Sequence, residues 1–387
     1  MRNFALVLAA GCVLVLGASI GAASASTVAP VASGLDSPRG LTFLPNGTLA
    51  VAEAGHGGDV CFLNGPCIGM SGQISTINLA TGSHTPLVSG LFSAREPEGG
   101  SIGVDGLASQ GGRLLAIMGA FPQAFDGATC AGQPADCPQV LATARAQAGQ
   151  LLSVRASGRL KTIAGVGASD YQWTVDHHSI YGGELDANPY GLLALDGGTY
   201  VADAGANTLD WVGDNGDISV LDRFPDPNPP EPFPTDAVPT CIAASSDGQL
   251  YVGDLAGRIW AVAGGSDEQD NEAGDDANDD RTSLREPARL VSGQSGNHFT
   301  GCAADKSGNV YFVSMFAGLF PNPGTGSIVE LTAGGTVSTL ATGPLVFPNG
   351  ITVGRDGALY VSVNSICGAS PGGACGPLTG GVVKINP

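Results

Sequence analysis

Short apolar runs alternate with glycine-containing turns along this chain, and the arrangement recurs six times. Each copy has a start resembling Pro-x-Gly, an apolar run, a tight turn such as Asn-Gly or Asp-Gly, and a second apolar run. β-Branched and aromatic residues in such runs, separated by such turns, are typical of β-hairpins. The six copies begin at Ser37, Val104, Asn188, Val238, Phe299 and Phe347.

Two weaker strands follow the hairpins. In the first repeat they span residues 73–79 and 85–89, and in the fifth they span residues 327–331 and 336–341. A unit of four strands that repeats six times predicts an all-β fold, a six-bladed β-propeller of four-stranded antiparallel blades.

The two ends of the chain predict how the ring of blades closes. The sixth repeat has only three clear strands, the last of them at residues 382–385, whereas residues 28–33 form a strand with no partner in their own repeat. Their sequence PVASGL echoes PLVSGL in the fourth strand of the first repeat. We therefore expect the N-terminal strand to be added to the C-terminal blade, which leaves no exposed sheet edge.

Long insertions are confined to two classes of connection. They follow the second strand at residues 54–71, 119–147, 315–324 and 364–379, and the fourth strand at residues 165–187 and 223–237. In an up-and-down blade both classes emerge on one side, which we call the loop face, and the tight hairpin turns form the opposite turn face. Binding residues commonly lie on loops held by a rigid scaffold.

The first 25 residues are predicted to be a secretory signal, which leaves a propeller domain over residues 26–387. Arg2 supplies the positive start, residues 4–16 form the apolar core, and Ala23-Ser24-Ala25 is an A-x-A cleavage site. No later stretch is long and apolar enough to span a bilayer, so we expect a secreted or extracytoplasmic monomer. Cys12 stands in a sequence that resembles a lipidation site, and its lipidation is left open.

Acidic residues dominate the charge of the chain. There are 35 acidic and 16 basic residues, a net charge of −19. Nucleic-acid binding needs a basic surface, so this composition argues against it and suits cations or basic partners. Residues 267–280 hold eight acids in fourteen positions. Such a block is typical of a solvated loop, with weak cation binding as the alternative.

The cysteines predict disulfides in an exported protein. Outside the predicted signal, three pairs close short loops. The two remaining cysteines stand at the first strands of consecutive repeats, where adjacent blades would bring them together. A metal site is the alternative, but no pair has C-x-x-C spacing and no histidine accompanies them. The predicted pairs are Cys61 with Cys67, Cys130 with Cys137, Cys367 with Cys375, and Cys241 with Cys302.

One position in each repeat is a candidate for ligand binding. It precedes the glycine that starts the first strand, and in a propeller it faces the channel mouth on the loop face. A cation, a carboxylate, a phenol, two hydroxyls and an amide would converge there, as in a polar small-molecule site. The alternative is that they cap strands or bind channel water. The set is Arg39, Asp105, Tyr190, Thr240, Thr300 and Asn349.

A second set ends the second strand of each repeat. Three of its members are acidic, and a carboxylate at a strand end commonly accepts hydrogen bonds from backbone N–H groups of the next turn. A structural role is therefore the favoured interpretation. The set is Glu53, Met118, Asp203, Asp254, Ser314 and Val363.

Several segments resemble the ScyD/ScyE family of secreted proteins. They include SGLDSPRGLTFLPNGTLAVAEAGHGGD, DANPYGLLALDGGTYVADAGANTL and VPTCIAASSDGQLYVGDLAGRIWAV, and the resemblance covers nearly all of the mature chain. It implies an exported NHL-like propeller and carries over no established catalytic residues. The chain departs from the family pattern at residues 171–183, YQWTVDHHSIYGG.

A further resemblance concerns gluconolactonase-like hydrolases, six-bladed propellers that hold a divalent metal in the channel. The segment FPNG, which ends at Gly350, is similar to one of their metal-ligand segments. The positive charge of Arg39 at the equivalent position of the first repeat opposes a cation. The residues that would hold Ca²⁺ or another divalent cation are Glu53, Glu98, Asp105 and Asn349.

Together, these features favour a secreted propeller that binds a small molecule or a protein on its loop face, with no reaction and no certain cofactor assigned. The alternative is a metal-dependent, gluconolactonase-like hydrolase that acts at the channel mouth. Fold resemblance alone does not decide between binding and catalysis.

Overall fold

A computed structural model describes residues 26–63, 65–97, 99–181, 185–228, 234–263, 288–293, 296–317, 325–340, 342–370, 372 and 375–387. The predicted signal, Glu98 and the acidic segment 267–280 lie outside the described residues. No helix in the described part is long and apolar enough to cross a membrane.

The structure is a ring of six antiparallel sheets, called blades 1 to 6 in the order of their hairpins along the chain. The first strand, β1 (Thr27–Leu35), belongs to blade 6. Blade 1 contains β2 (Pro38–Phe43), β3 (Leu49–Glu53), β4 (Val60–Cys61), β5 (Cys67–Ile77), β6 (His84–Arg95) and β7 (Ser101–Ile102). Blade 2 contains β8 (Val104–Gln110), β9 (Arg113–Met118), β10 (Gln150–Val154) and β11 (Leu160–Gly165).

The other blades follow the same order. Blade 3 contains β12 (Pro189–Leu195), β13 (Gly198–Asp203), β14 (Thr208–Gly213) and β15 (Ile218–Arg223). Blade 4 contains β16 (Pro239–Ala244), β17 (Leu250–Asp254), β18 (Arg258–Val262) and β19 (Arg289–Gly293). Blade 5 contains β20 (Asn297–Ala304), β21 (Val310–Ala317), β22 (Ser327–Leu331) and β23 (Val337–Thr339). Blade 6 contains β24 (Ile351–Val353), β25 (Leu359–Val363) and β26 (Gly380–Asn386). The prediction of a six-bladed propeller is confirmed.

Strands from opposite ends of the chain complete blade 6. Its strand order is β24, β25, β26 and β1, so that the N-terminal strand lies at the outer edge. β1 and β26 are antiparallel, with Val28 opposite Ile385 and Ala32 opposite Val382. The outermost strand of this sheet therefore precedes all the others in sequence.

The hydrophobic core is divided among the six contacts between neighbouring blades. Each contact has its own buried cluster, for example Phe299 and Phe312 of blade 5 against Ile259 of blade 4. Successive side chains of a strand point to opposite sides of the sheet, so each sheet presents apolar side chains to both neighbouring blades. Because every blade is packed on both sides, the first strands are held at fixed positions around the axis.

The repeated glycine at the start of the first strand lets neighbouring blades approach one another. A β-carbon on any of these glycines would lie between 2.3 and 2.9 Å from a carbonyl oxygen of the next blade. Those carbonyls belong to the residues that the sequence placed at the channel mouth. The glycines are Gly40, Gly106, Gly191, Gly301 and Gly350.

Blade 4 has Cys241 where the other blades have this glycine. It forms a disulfide with Cys302 of blade 5, with the two Cα atoms 5.5 Å apart. A covalent bond therefore joins these two blades near the axis. The other three predicted disulfides, Cys61–Cys67, Cys130–Cys137 and Cys367–Cys375, are also present, so all four pairings are confirmed.

Two insertions contain helices that the sequence analysis did not predict. The insertion at residues 119–147 contains a 3₁₀ turn (Pro122–Phe125) and α1 (Cys137–Gln147), and the insertion at residues 165–187 contains α2 (Val166–Asp176). In α1, Val140, Leu141 and Ala144 are buried in the core cluster between blades 1 and 2.

The third and fourth strands of blade 1 are longer than the predicted ranges of 73–79 and 85–89. β5 and β6 extend this hairpin towards the Cys61–Cys67 disulfide, and β4 pairs with its end. Burial of Ile68 and Phe92 holds the extension against blade 2. This extension forms one wall of the cavity described below.

Candidate functional site

The six predicted channel-mouth residues lie together, one from each blade. Five of them stand in the first strand of their blade, Asn349 stands two residues before β24, and these strands surround the axis. Five side chains are buried, and Tyr190 is half-buried. The structure brings these positions together, but nearly all of the side chains are hidden from solvent, and their role in ligand binding stays a prediction. We call them the axial ring: Arg39, Asp105, Tyr190, Thr240, Thr300 and Asn349.

Hydrogen bonds within the axial ring use most of its polar groups. Asn349 Nδ2 donates to the hydroxyl of Tyr190 over 2.7 Å, which connects opposite blades 6 and 3. Thr240 Oγ1 donates to the carbonyl of Phe299 over 2.6 Å, and Thr300 Oγ1 donates to the carbonyl of Asn349 over 3.2 Å. The two hydroxyls thus connect blade 4 to blade 5 and blade 5 to blade 6.

Asp105 and Arg39 form the charged part of the ring. Arg39 Nε lies 3.6 Å from Asp105 Oδ1, and Arg39 Nη2 donates to the carbonyl of Ser101 over 2.6 Å. Burial raises the pKa of Asp105 to about 7, against the opposing effects of the Arg39 charge and the Gly103 backbone. Neither carboxylate oxygen of Asp105 has a hydrogen bond of ordinary geometry. Both carboxylate oxygens of Asp105 therefore have unused acceptor capacity.

A cavity of about 270 Å³ continues from the axial ring along the first strands. All six blades contribute to its wall, which consists largely of backbone and small side chains. Its lining beyond the ring includes Ala108, Ala194, Ala244 and Ala304. We call it the axial cavity.

The carboxylates at the ends of the second strands serve the backbone. Asp203 Oδ1 accepts hydrogen bonds from the amides of Asn188, Gly205 and Ala206 over 2.7 to 2.9 Å. Asp254 accepts hydrogen bonds from the backbone and side chain of Arg258. These contacts support the structural interpretation of this set.

The proposed metal ligands that lie within the described residues do not come together as a metal site. Glu53 is fully buried, its Oε2 accepts the Asp36 amide over 2.7 Å, and its Oε1 accepts Gln73 Nε2 over 2.8 Å. Asp105 and Asn349 lie in the axial ring, and Glu98 lies outside the described residues. Within the described ranges, no group of three or more His, Cys, Asp and Glu side chains is arranged to hold a metal ion.

A larger cavity, which the sequence analysis missed, lies among the insertions of the loop face. It has a volume of about 510 Å³ and is lined by the Cys61–Cys67 loop and β6 of blade 1, by the 3₁₀ turn of blade 2, and by residues 186–188 before blade 3. We call it the loop-face cavity. Four aromatic rings contribute to its lining: Phe62, Phe92, Phe121 and Phe125.

The walls of the loop-face cavity are tied to one another. Gln133 of blade 2 exchanges two hydrogen bonds with the backbone of Cys61 in blade 1, over 2.6 and 3.1 Å. Gln147 Oε1 accepts the amide of Phe92 over 2.7 Å, and Arg145 Nη2 donates to the carbonyl of Phe125 over 2.7 Å. The shape of the cavity is therefore set by contacts of the protein with itself.

Contacts between aromatic rings fix the orientation of the aromatic lining. Phe92 and Phe125 meet edge to face, with ring centroids 5.4 Å apart. Phe121 stacks on Tyr171 of α2 at 4.8 Å. Such pairs favour defined ring orientations, so the cavity offers preformed apolar surfaces.

Three buried carboxylates lie together where α2 packs on blade 3. Asp170 of α2 and Asp203 and Asp210 of blade 3 are all fully buried. Burial, and the neighbouring charges of Asp210 and Asp203, raise the pKa of Asp170 well above its usual value. Burial also raises the pKa of Asp210, and Thr208 Oγ1 donates to its Oδ2 over 3.2 Å. The raised pKa values favour protonated carboxyls in this acid cluster, which lies at the contact of α2 with blade 3.

Comparison with solved structures places the fold among six-bladed propellers of diverse activity. A gluconolactonase from Xanthomonas campestris is 12% identical, with a TM-score of 0.53, and the alignment covers 92% of this chain and 88% of that one. A calcium-binding protein, regucalcin, from Agrobacterium tumefaciens is 15% identical, with a TM-score of 0.52, and the alignment covers 94% and 96%. Identity at this level shows the fold alone.

Comparisons of sequence identify no family. No known protein family matches the chain, and no curated protein is significantly similar to it. Membership of the ScyD/ScyE family therefore stays a prediction, and the chain is shown to share the β-propeller fold of gluconolactonase and regucalcin.

Proposed function

We propose that this protein is a secreted, ScyD/ScyE-type propeller that binds a ligand in the loop-face cavity, with no chemical reaction assigned. One observation carries the proposal. The cavity is a concave space of about 510 Å³, lined by four phenylalanines and closed by hydrogen bonds between insertions of different blades. Ligand sites are commonly preformed, largely apolar hollows with a few polar groups.

The axial ring supports this choice by contrast. Its amide, phenol and hydroxyl groups are bound to the protein itself, and its side chains are almost entirely buried. A ligand at the ring would have to replace these hydrogen bonds, and breaking a buried pair leaves polar groups unsatisfied. The loop-face cavity requires no such exchange.

Four disulfides and the absence of a membrane-spanning helix from the described part are compatible with an extracytoplasmic protein. Two of the disulfides, Cys61–Cys67 and Cys130–Cys137, lie in the insertions that form the cavity. Constraining these loops reduces the entropy lost when a ligand binds.

Binding of an uncharged apolar probe to a cavity-filling variant tests the proposal. We expect 2-(2-naphthyl)ethanol to bind wild-type protein with a dissociation constant of about 100 µM by isothermal titration calorimetry. Ala124 lines the cavity, and Ala124→Trp should weaken binding at least tenfold by occupying the space. Ala80→Trp, at an exposed turn outside the cavity, is the control and should bind as wild type does. Equal binding by both variants, or no binding by wild type, would overturn the proposal.

A metal-dependent hydrolase at the axial ring is the second candidate. The observation that favours it is the buried carboxylate of Asp105, whose oxygens lack ordinary hydrogen bonds and which shares the axial ring with Asn349. If it is correct, Ca²⁺ or Mg²⁺ should raise the melting temperature, and Asp105→Ala combined with Asn349→Ala should abolish that rise. An unchanged melting temperature in millimolar Ca²⁺ and Mg²⁺ would exclude it.

A further inference from the structure

We infer that the loop-face cavity selects a ligand that carries a cationic nitrogen on an apolar body of ring size. The inference rests on the proposed function, because it specifies the ligand of the same cavity. It is carried by the charges and the aromatic rings that line this space, and by the way they are distributed between its interior and its rim.

The charged residues that line the cavity are all acidic. Glu96 of blade 1, Asp126 of blade 2 and Asp186 before blade 3 come from three separate segments. The described lining contains no lysine, arginine or histidine. A ligand anion would meet three carboxylates in this lining, whereas an ammonium group would be attracted by all three.

Exposure separates the charges from the apolar surface. Phe92 is fully buried and Phe125 is 5% exposed, whereas Glu96 is half-buried and Asp126 and Asp186 are exposed. The carboxylates therefore lie towards solvent, and the rings of Phe92 and Phe125 lie deeper. A ligand that fits this arrangement places an apolar body against the phenylalanines and a positive group at the rim.

The aromatic lining also favours a cation. The face of a phenyl ring carries partial negative charge and attracts ammonium groups within about 6 Å. Phe62 and Phe121 are partly exposed and lie on different sides of the cavity, one in the Cys61–Cys67 loop and one before the 3₁₀ turn. A cationic nitrogen at the rim would thus have both aromatic rings and carboxylates in the lining around it.

The net charge of the whole chain acts in the same direction. At −19 it raises the local concentration of cations near the protein and lowers that of anions. This effect does not depend on the cavity, so a test has to separate it from the local carboxylates.

Three probes with one apolar body test the inference. They are 2-(2-naphthyl)ethylamine, which is a cation at pH 7, the neutral 2-(2-naphthyl)ethanol, and the anion 3-(2-naphthyl)propanoate. We expect calorimetry at low salt to give the tightest binding for the amine, at least tenfold tighter than the anion, with the alcohol between them. In 0.5 M NaCl the difference should shrink, because salt screens exposed charges.

A matched pair of triple variants separates local from global charge. Glu96→Gln with Asp126→Asn and Asp186→Asn should bring the amine to the affinity of the alcohol and leave the alcohol unchanged. The control, Asp196→Asn with Asp217→Asn and Asp247→Asn, removes as much charge from exposed turns outside the cavity and should retain the preference. Melting temperatures confirm that both variants are folded.

The outcomes distinguish the inference from the proposed function. If the alcohol binds and Ala124→Trp blocks it, but the amine gains nothing or the anion binds best, the cationic ligand class is wrong and the cavity remains a binding site. If the control variant loses the preference as fully as the cavity variant, the local carboxylates are not its source. If none of the probes binds, both conclusions fall.

Discussion

The axial ring and the loop-face cavity both bring together residues from distant parts of the chain, but the repeats build one and the insertions build the other. Ring side chains occupy one equivalent position in each blade and bond to one another or to neighbouring backbone. Cavity side chains come from non-equivalent segments and face a space of about 510 Å³. The contrast indicates that the repeated positions hold the blades together and the irregular ones are available to a ligand.

Removing a disulfide from each region should have the largest effect of these tests. One variant should lose more stability, and the other should lose more affinity for the probe. Cys241→Ala with Cys302→Ala opens a long loop between blades 4 and 5, at a cost of about 4 kcal/mol by the chain-entropy relation. Cys130→Ala with Cys137→Ala opens a short loop, at a cost of about 2.5 kcal/mol. We expect denaturant titration to show the larger loss for the first pair.

Binding of the naphthyl probe should show the reverse order. The Cys130–Cys137 disulfide lies in the insertion that carries Phe121 and Phe125, so its removal should weaken binding of the probe several-fold. Loss of the Cys241–Cys302 disulfide should leave the affinity of the folded protein unchanged. If binding weakened only in the variant that lacks the Cys241–Cys302 disulfide, the contrast between the two regions would be contradicted.

Substitution of a first-strand glycine should destabilise the ring. A β-carbon at Gly350 would lie 2.4 Å from the carbonyl oxygen of Arg39 in blade 1. Backbone must move to accept it, so Gly350→Ala should cost about 3 kcal/mol in chemical denaturation. Gly293→Ala is the control, since a β-carbon there has no heavy atom of the described residues within 4 Å. Equal stability of the two variants would mean that the blades do not approach as closely as described.

Loss of one hydrogen bond across the axis should have a smaller effect. Tyr190→Phe removes the hydroxyl that accepts from Asn349 and leaves a buried amide with one partner fewer. We expect the free energy of unfolding to fall by about 1–2 kcal/mol. The affinity for the naphthyl probe should not change, and a clear loss of affinity would indicate that the ring belongs to the binding site.

The pH dependence of stability should reveal the buried carboxyls. Folding raises the pKa of Asp105 to about 7 and that of Asp170 well above its usual value, so the folded protein holds extra protons. Their stabilising effect is complete below the pKa of the unfolded chain, about 4, and is lost as the pH rises through the folded values. The melting temperature should therefore fall as the pH rises from 5 to 8.

Asp170→Asn should reduce this fall, because an amide replaces a carboxyl that cannot ionise without cost. We expect the smallest shift here, about 2 °C over the same pH range, measured by calorimetry. Asp247→Asn, at an exposed turn, is the control and should follow wild type. If the melting temperature of Asp170→Asn falls between pH 5 and 8 as much as that of wild type, Asp170 does not titrate in the folded protein.

The repeats made much of the fold predictable. A glycine turn between apolar runs indicates a hairpin, and six copies indicate a ring of six blades. Arg39 and Asn349 could therefore be assigned to equivalent positions around that ring from the sequence alone. Cys241 and Cys302 could be paired because they occupy the same strand in consecutive blades. These inferences need only the period of the chain.

The loop-face cavity could not be found in this way. Phe62, Phe92 and Phe121 stand at unrelated positions in their repeats, and no periodicity brings them together. The helix at Cys137–Gln147 did leave a signal, since its sequence CPQVLATARAQ has proline as its second residue and contains three alanines and two glutamines. α2 left less, because glycine, serine, threonine and valine in Val166–Asp176 are weak helix formers, and its helix depends on packing against blade 3.

A crystal structure of the protein soaked with 2-(2-naphthyl)ethylamine tests the central claim most directly. The account predicts density for the naphthyl group against Phe92, Phe121 and Phe125, with its nitrogen near Glu96, Asp126 or Asp186. Density in the axial cavity, with the loop-face cavity vacant at the same probe concentration, would contradict it.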